Sequence, residues 1–122
     1  MASAESDVGS LVLPQCEGNY QIVRVSGIKP TGSMDGFLKA VEAHKAWYRS
    51  HGFKNNEIRT QRIMVQDPAT HKWKYSDQEI MVVHVRPPQD VKRDPAWEAF
   101  VKQYANNSDI KSERFVCVPK AQ

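Results

Sequence analysis

The chain has few of the residues that announce a chemistry: two cysteines, six glycines and four scattered histidines among 122 residues. It has no Cys-x-x-Cys and no pair of histidines at helical spacing, so no zinc motif is expected. No serine sits in a nucleophile-elbow context, which leaves no Ser-His-Asp proposal. A glycine-rich phosphate loop is missing too, because Gly27 to Gly32 is too short and contains Pro30. No apolar run approaches the roughly 20 residues that span a bilayer. No tract of one charge exists either. The net charge is +3 with a pI near 8.9, and the cations are spread among acids. That pattern reads as a solvated surface rather than a nucleic-acid patch. The start lacks a basic n-region and an apolar h-region. Ala2-Ser3-Ala4 resembles the end of a cleavage site and fits either a processed export signal or a flexible terminus.

What is present is ordinary globular material. Hydrophobic residues make up 40% and charged residues 25%, enough for one core and too little chain for two. Residues 1 to 19 read as a polar arm with one apolar knot, Leu11-Val12-Leu13-Pro14. Residues 20 to 119 form the domain, and 120 to 122 a tail. Tyr20 to Ile28 alternates as a strand should. Ser33 is an N-cap, and from Met34 the apolar period turns helical, with Phe37, Leu38, Val41 and Tyr48 on one stripe. Gly52 supplies the stop. Glu57 to Gln66 predicts a second strand, turned by Asp67-Pro68-Ala69-Thr70. His71 to Tyr75 continues the hairpin; after an irregular Ser76-Asp77, Glu79 to Arg86 is the strongest strand. Asp94-Pro95 opens a second helix whose buried side is expected to be Ala96, Trp97, Phe100, Val101 and Tyr104. Ile110 to Val118 is the last strand.

The order βαββαβ is that of a ferredoxin-like α+β fold, a four-stranded antiparallel sheet with two helices on one face. In its usual arrangement the first strand lies between the third and fourth. If Met81, Val83 and Val85 point at the helices, then Ile80, Val82 and His84 point away, with Ile22 and Arg24 beside them. So many apolar residues on the face away from the helices predict a cover, most simply a second copy of the chain. In this order and patterning, residues 20 to 119 resemble the dimeric α/β barrel superfamily, in which two such sheets enclose a cavity. The resemblance implies a homodimer and a cavity more than an activity. Haem-handling members commonly place an axial histidine on the second helix. Residues 95 to 106 contain none, and no cofactor is expected.

Cys16 precedes the first strand and Cys117 ends the last. As antiparallel neighbours, those strands bring the two cysteines within bridging reach. A disulfide would place the protein in an oxidising compartment, periplasmic or secreted. A pair of free thiols in a cytoplasmic protein is the alternative.

His84 and Arg24 are the candidate chemical pair. On the expected cavity face, His84 could act as a base and Arg24 could hold an anion or developing oxyanion. An interface histidine with a salt-bridged arginine is the structural alternative. The leading expectation is a protein binding a small apolar or anionic ligand in a cavity lined by Ile22, Arg24, Val82 and His84. A cofactor-independent enzyme of the monooxygenase or cyclase kind, and a non-catalytic interaction domain, are the competing readings. His44 is expected in the core, and His71 in a solvated turn.

Overall fold

The structure, a computed structural model, describes residues 13–120. Its elements are β1 (Asn19–Ile28), α1 (Met34–Ser50), β2 (Glu57–Gln66), β3 (Trp73–Val85), α2 (Pro95–Asn107) and β4 (Ser108–Val118). The strands order β2-β3-β1-β4, and every neighbouring pair is antiparallel. This is the ferredoxin-like α+β arrangement that the order of periods predicts. Leu11 and Val12 of the Leu11-to-Pro14 knot, and the Ala2-Ser3-Ala4 triplet, lie outside the described residues.

Both helices start where their caps require. The Ser33 side chain accepts from the Gly36 amide at 2.9 Å, and the Asp94 carboxylate accepts from the Trp97 amide at 2.9 Å. Each cap satisfies an amide that the first turn leaves without a partner. The helices are also tied to each other at both ends. At one, the indole N–H of Trp47 on α1 donates to Asp94 Oδ1 at 2.8 Å. At the other, Asn107 Oδ1 accepts from the Ser33 amide and its backbone carbonyl accepts from the Lys29 amide, both at 2.9 Å. Gly32 makes this second tie possible, because a Cβ there would lie 2.4 Å from Asn107 Cα.

The sheet face that meets the helices is the opposite of the one expected. Ile80 and Val82 join Ile58 against Phe37, Tyr48, Trp97 and Phe100 in the core, and the His84 ring meets those of Tyr48 and His44. Met81, Val83 and Val85 therefore face away. Alternation fixes that the two sets part company, but not which set the helices cover. Here the helix aromatics need the larger branched side chains of Ile22, Ile58 and Ile80 beneath them, and the face away holds mainly valines.

β3 also departs from the expected break at Ser76-Asp77. It runs on as one strand, and the irregularity is absorbed as a bulge. Between the Arg62–Ile80 and Met64–Tyr75 pairs, β2 holds only Ile63 while β3 holds Ser76 to Glu79. The Ser76 hydroxyl steadies the excess by accepting from the Gln78 and Glu79 amides at 3.0 and 3.1 Å. Since β1 pairs with β3 only as far as Glu79, the hairpin beyond the bulge continues as a two-stranded ribbon. Its turn is closed by the Asp67 carbonyl accepting from the His71 amide, and the Asp67 carboxylate accepts from Ala69 and Thr70. Those two amides hold the Asp67 carboxyl below its ordinary value.

Cys16 and Cys117 form the disulfide, with Cα atoms 5.8 Å apart. Their closeness follows from the β1–β4 ladder, whose Tyr20–Cys117 pair sets the end of β4 beside the start of β1. Beside the bridge, the Tyr20 hydroxyl donates to the Pro14 carbonyl.

Candidate functional site

Ile22, Arg24, Val82 and His84 do share one face. Ile22 is paired with His84, and Arg24 with Val82. That face is the helix-covered one, so the four fill the protein interior instead of lining a cavity on the other side. His84 is 1% exposed. Its Nε2 lies 2.9 Å from Asn56 Nδ2, which donates to it. The orientation of that amide follows from its other end, where Asn56 Oδ1 accepts from Arg49 Nη1 at 2.9 Å. The nitrogen that a general base would use is therefore occupied. Arg24 is 3% exposed and its Nε donates to Glu113 Oε2 at 2.6 Å. His44, buried as expected, sets Nδ1 2.8 Å from the Tyr104 hydroxyl and stacks on Phe100 with ring centroids 4.6 Å apart.

One constellation looks catalytic and has structural chemistry. Ser50 Oγ lies 2.9 Å from His51 Nδ1, and His51 Nε2 lies 2.9 Å from Asp94 Oδ2. This is the residue order of a Ser-His-Asp relay. But Nδ1 is also 2.7 Å from the Trp47 carbonyl, a group that only accepts. A hydrogen on Nδ1 toward that carbonyl leaves no lone pair there to take the serine proton, and Ser50 itself donates to the same carbonyl at 2.9 Å. The cluster caps the end of α1 and joins it to α2. Its carboxylate is held near a pKa of about 2 by the Trp47 indole first, then the Trp97 amide and His51.

A groove of about 490 Å³ opens at the base of the ribbon. Two lysines, Lys74 and Lys111, and two acids, Asp77 and Glu79, are among its lining residues, with Gly27, Ile28, Val65, Ser76 and Gln78. Two local irregularities build it. The β3 bulge displaces Ser76 to Glu79 from regular pairing, and a register shift between Val25 and Ser26 makes Lys111 the unpaired residue of β4. The Lys111 stem then crosses Gly27, where a Cβ would lie 2.4 Å from its Cε. Residues pointing the same way as Gly27 and Glu79 are on the face turned from the helices. None of Ile22, Arg24, Val82 and His84 lines this groove. The polar interruption Ser76-Asp77 is the only sequence clue to it.

Among the described residues, no three or more His, Cys, Asp or Glu come together as a metal site, and no helix is long and apolar enough to cross a membrane. The chain matches no protein-family model, no curated protein and no solved structure.

Proposed function

We propose that the chain is a binding protein with no catalysis of its own, taking a small ligand of mixed charge, such as an amino acid or short peptide, in the groove at the base of the ribbon. The observation that carries this reading is the groove's lining, in which two lysines and two acidic residues stand around a volume within the usual ligand range of ~300 to 1,000 Å³. A ligand bearing both an acid and an amine would complement both pairs. The enzyme reading needs a reactive group open to substrate, and His84 and Arg24 are engaged in the interior.

The ligand reading extends to a homodimer. Neither helix covers the face carrying Val23, Val25, Met81 and Val116, which are half-buried. A second copy laid on that face would bury this stripe and roof the groove, since Gly27 and Glu79 lie on the same side. In the oxidising compartment that the disulfide suits, such a protein would serve as an exported ligand carrier.

Calorimetric titration with a panel of free amino acids and dipeptides tests the ligand, and sedimentation equilibrium tests the dimer. Lys111→Glu should weaken binding at least tenfold with the melting temperature unchanged, while Val25→Glu should shift the protein toward monomer. Binding that survives both Lys111→Glu and Lys74→Glu would remove the groove assignment.

A further inference from the structure

All four large hydrophobic side chains strongly exposed among the described residues lie on the ribbon: Trp73 at 64%, Tyr75 at 61%, Met64 at 58% and Val65 at 38%. Elsewhere among the described residues every Phe, Tyr and Trp side chain is buried or half-buried. Trp73 and Tyr75, two residues apart on β3, stand on one face, and the pairs Trp73–Gln66 and Tyr75–Met64 put Met64 beside them. Arg62, also on β2 two residues from Met64, sets its guanidinium 5.3 Å from the Tyr75 ring centroid. The ribbon is basic as well. Beyond the bulge Lys72 and Lys74 face a single acid, Asp67, whose carboxylate is already taken by turn amides, and Arg62 adds a cation at the base, where Asp77 and Glu79 also lie.

We infer that this ribbon is a peripheral docking element for a membrane surface carrying anionic lipid, lying flat with Trp73, Tyr75 and Met64 at the headgroup level. Tryptophan and tyrosine are the side chains that favour that depth, with an apolar ring body and a polar tip. The cations complement the lipid charge, and their long stems let the charged ends reach phosphates from either side of the ribbon. The groove is lined from the ribbon by Val65 and Lys74 and not by Trp73, Tyr75 or Met64, so the aromatic face is separate from it. A second copy on the sheet face turned from the helices would leave this patch uncovered. Arg62 pairs with Ile80 on the helix side, and Met64 follows it on that side. Finally, the ionised Asp67 and Pro68 at the tip favour a ribbon lying along the surface over one driven in end-on.

Tryptophan fluorescence reads the contact directly. Trp47 and Trp97 are 5% and 1% exposed, so Trp73 alone of the three should respond to vesicles. Adding phosphatidylglycerol–phosphatidylcholine vesicles to the intact protein should shift the emission to shorter wavelength, and the protein should float with the vesicles. Phosphatidylcholine alone should bind at least tenfold more weakly, and added salt should release the protein. The Trp73→Ser/Tyr75→Ser double variant should lose flotation at least tenfold while keeping its melting temperature, and Lys111→Glu, which tests the groove, should float normally. Absence of flotation with anionic vesicles at low salt would overturn the inference, as would undiminished flotation of the double variant. Equal binding to neutral vesicles would too. A blue shift that grows with protein concentration and needs no lipid would assign the patch to a second copy instead.

Discussion

His84, Asn56 and Arg49 form a chain in which each member makes sense only through the next. The guanidinium fixes the amide, the amide donates to the imidazole, and the imidazole packs on Tyr48 and His44. Removing the ring therefore does two things at once. It opens space in a packed core, and it strips a buried amide hydrogen of its acceptor. His84→Ala should lower the unfolding free energy in urea by about 2 to 4 kcal/mol on those grounds. Trp73→Ala, at an exposed ribbon position, should stay within about 0.5 kcal/mol of the parent. Equal effects from the two would mean that His84 is not packed in the interior. Alternation along β3 places His84 with Ile80 and Val82 from sequence alone, but Asn56 lies outside any element and carries no mark of its role.

At the scale of elements, the antiparallel helices are held as a pair by one residue at each end, Asp94 and Asn107. The Asp94 end depends on pH. Its carboxyl is lowered from an ordinary 3.8 to about 2, first by the Trp47 indole and next by the Trp97 amide. A carboxyl whose folded pKa is depressed adds stability that is complete above its unfolded value and disappears as pH falls through its folded value. The contribution is thus intact above pH 4 and lost between about 4 and 2. Melting temperatures recorded across that window should fall less steeply in Asp94→Asn than in the parent. Parallel curves would show that the carboxylate charge does not hold the helices. The N-cap role of Asp94 is legible in Asp94-Pro95, because cap and first-turn proline are adjacent in sequence. The tie to Trp47 is not, since it crosses 47 residues and depends on how the helices lie together.

For the whole molecule, the Cys16–Cys117 bridge spans 101 residues and closes nearly the entire domain into a loop. In the chain-entropy model a loop that long adds about 4.7 kcal/mol, less any strain in the folded state. The gain arises mainly because the unfolded chain loses freedom. Cys117 is exposed and Cys16 half-buried, so reductant can reach the bridge. Adding reductant should lower the denaturation midpoint of the parent to that of a Cys16→Ser/Cys117→Ser variant and leave the variant unmoved. A parent midpoint indifferent to reductant would show that the bridge carries no stability. The pairing was readable because strand order dictates it: once β1 and β4 are antiparallel neighbours, the start of one meets the end of the other. The sequence by itself thus determined the element order, both N-caps, the ferredoxin-like sheet and the position of the bridge. The element order and the caps follow from residue periods of 2 and 3.6 and from local capping chemistry, and the sheet order and the bridge from the usual arrangement of that element order. Only the tertiary structure decided which sheet face the helices cover, since Ile80-Val82 and Met81-Val83 are both apolar sets and parity has no sign. It alone also decided where a pocket opens. The groove comes from bulges in β3 and β4 that bring Lys74, Asp77, Glu79 and Lys111 together, and a bulge is settled by competition between whole ladders rather than by the residues it displaces.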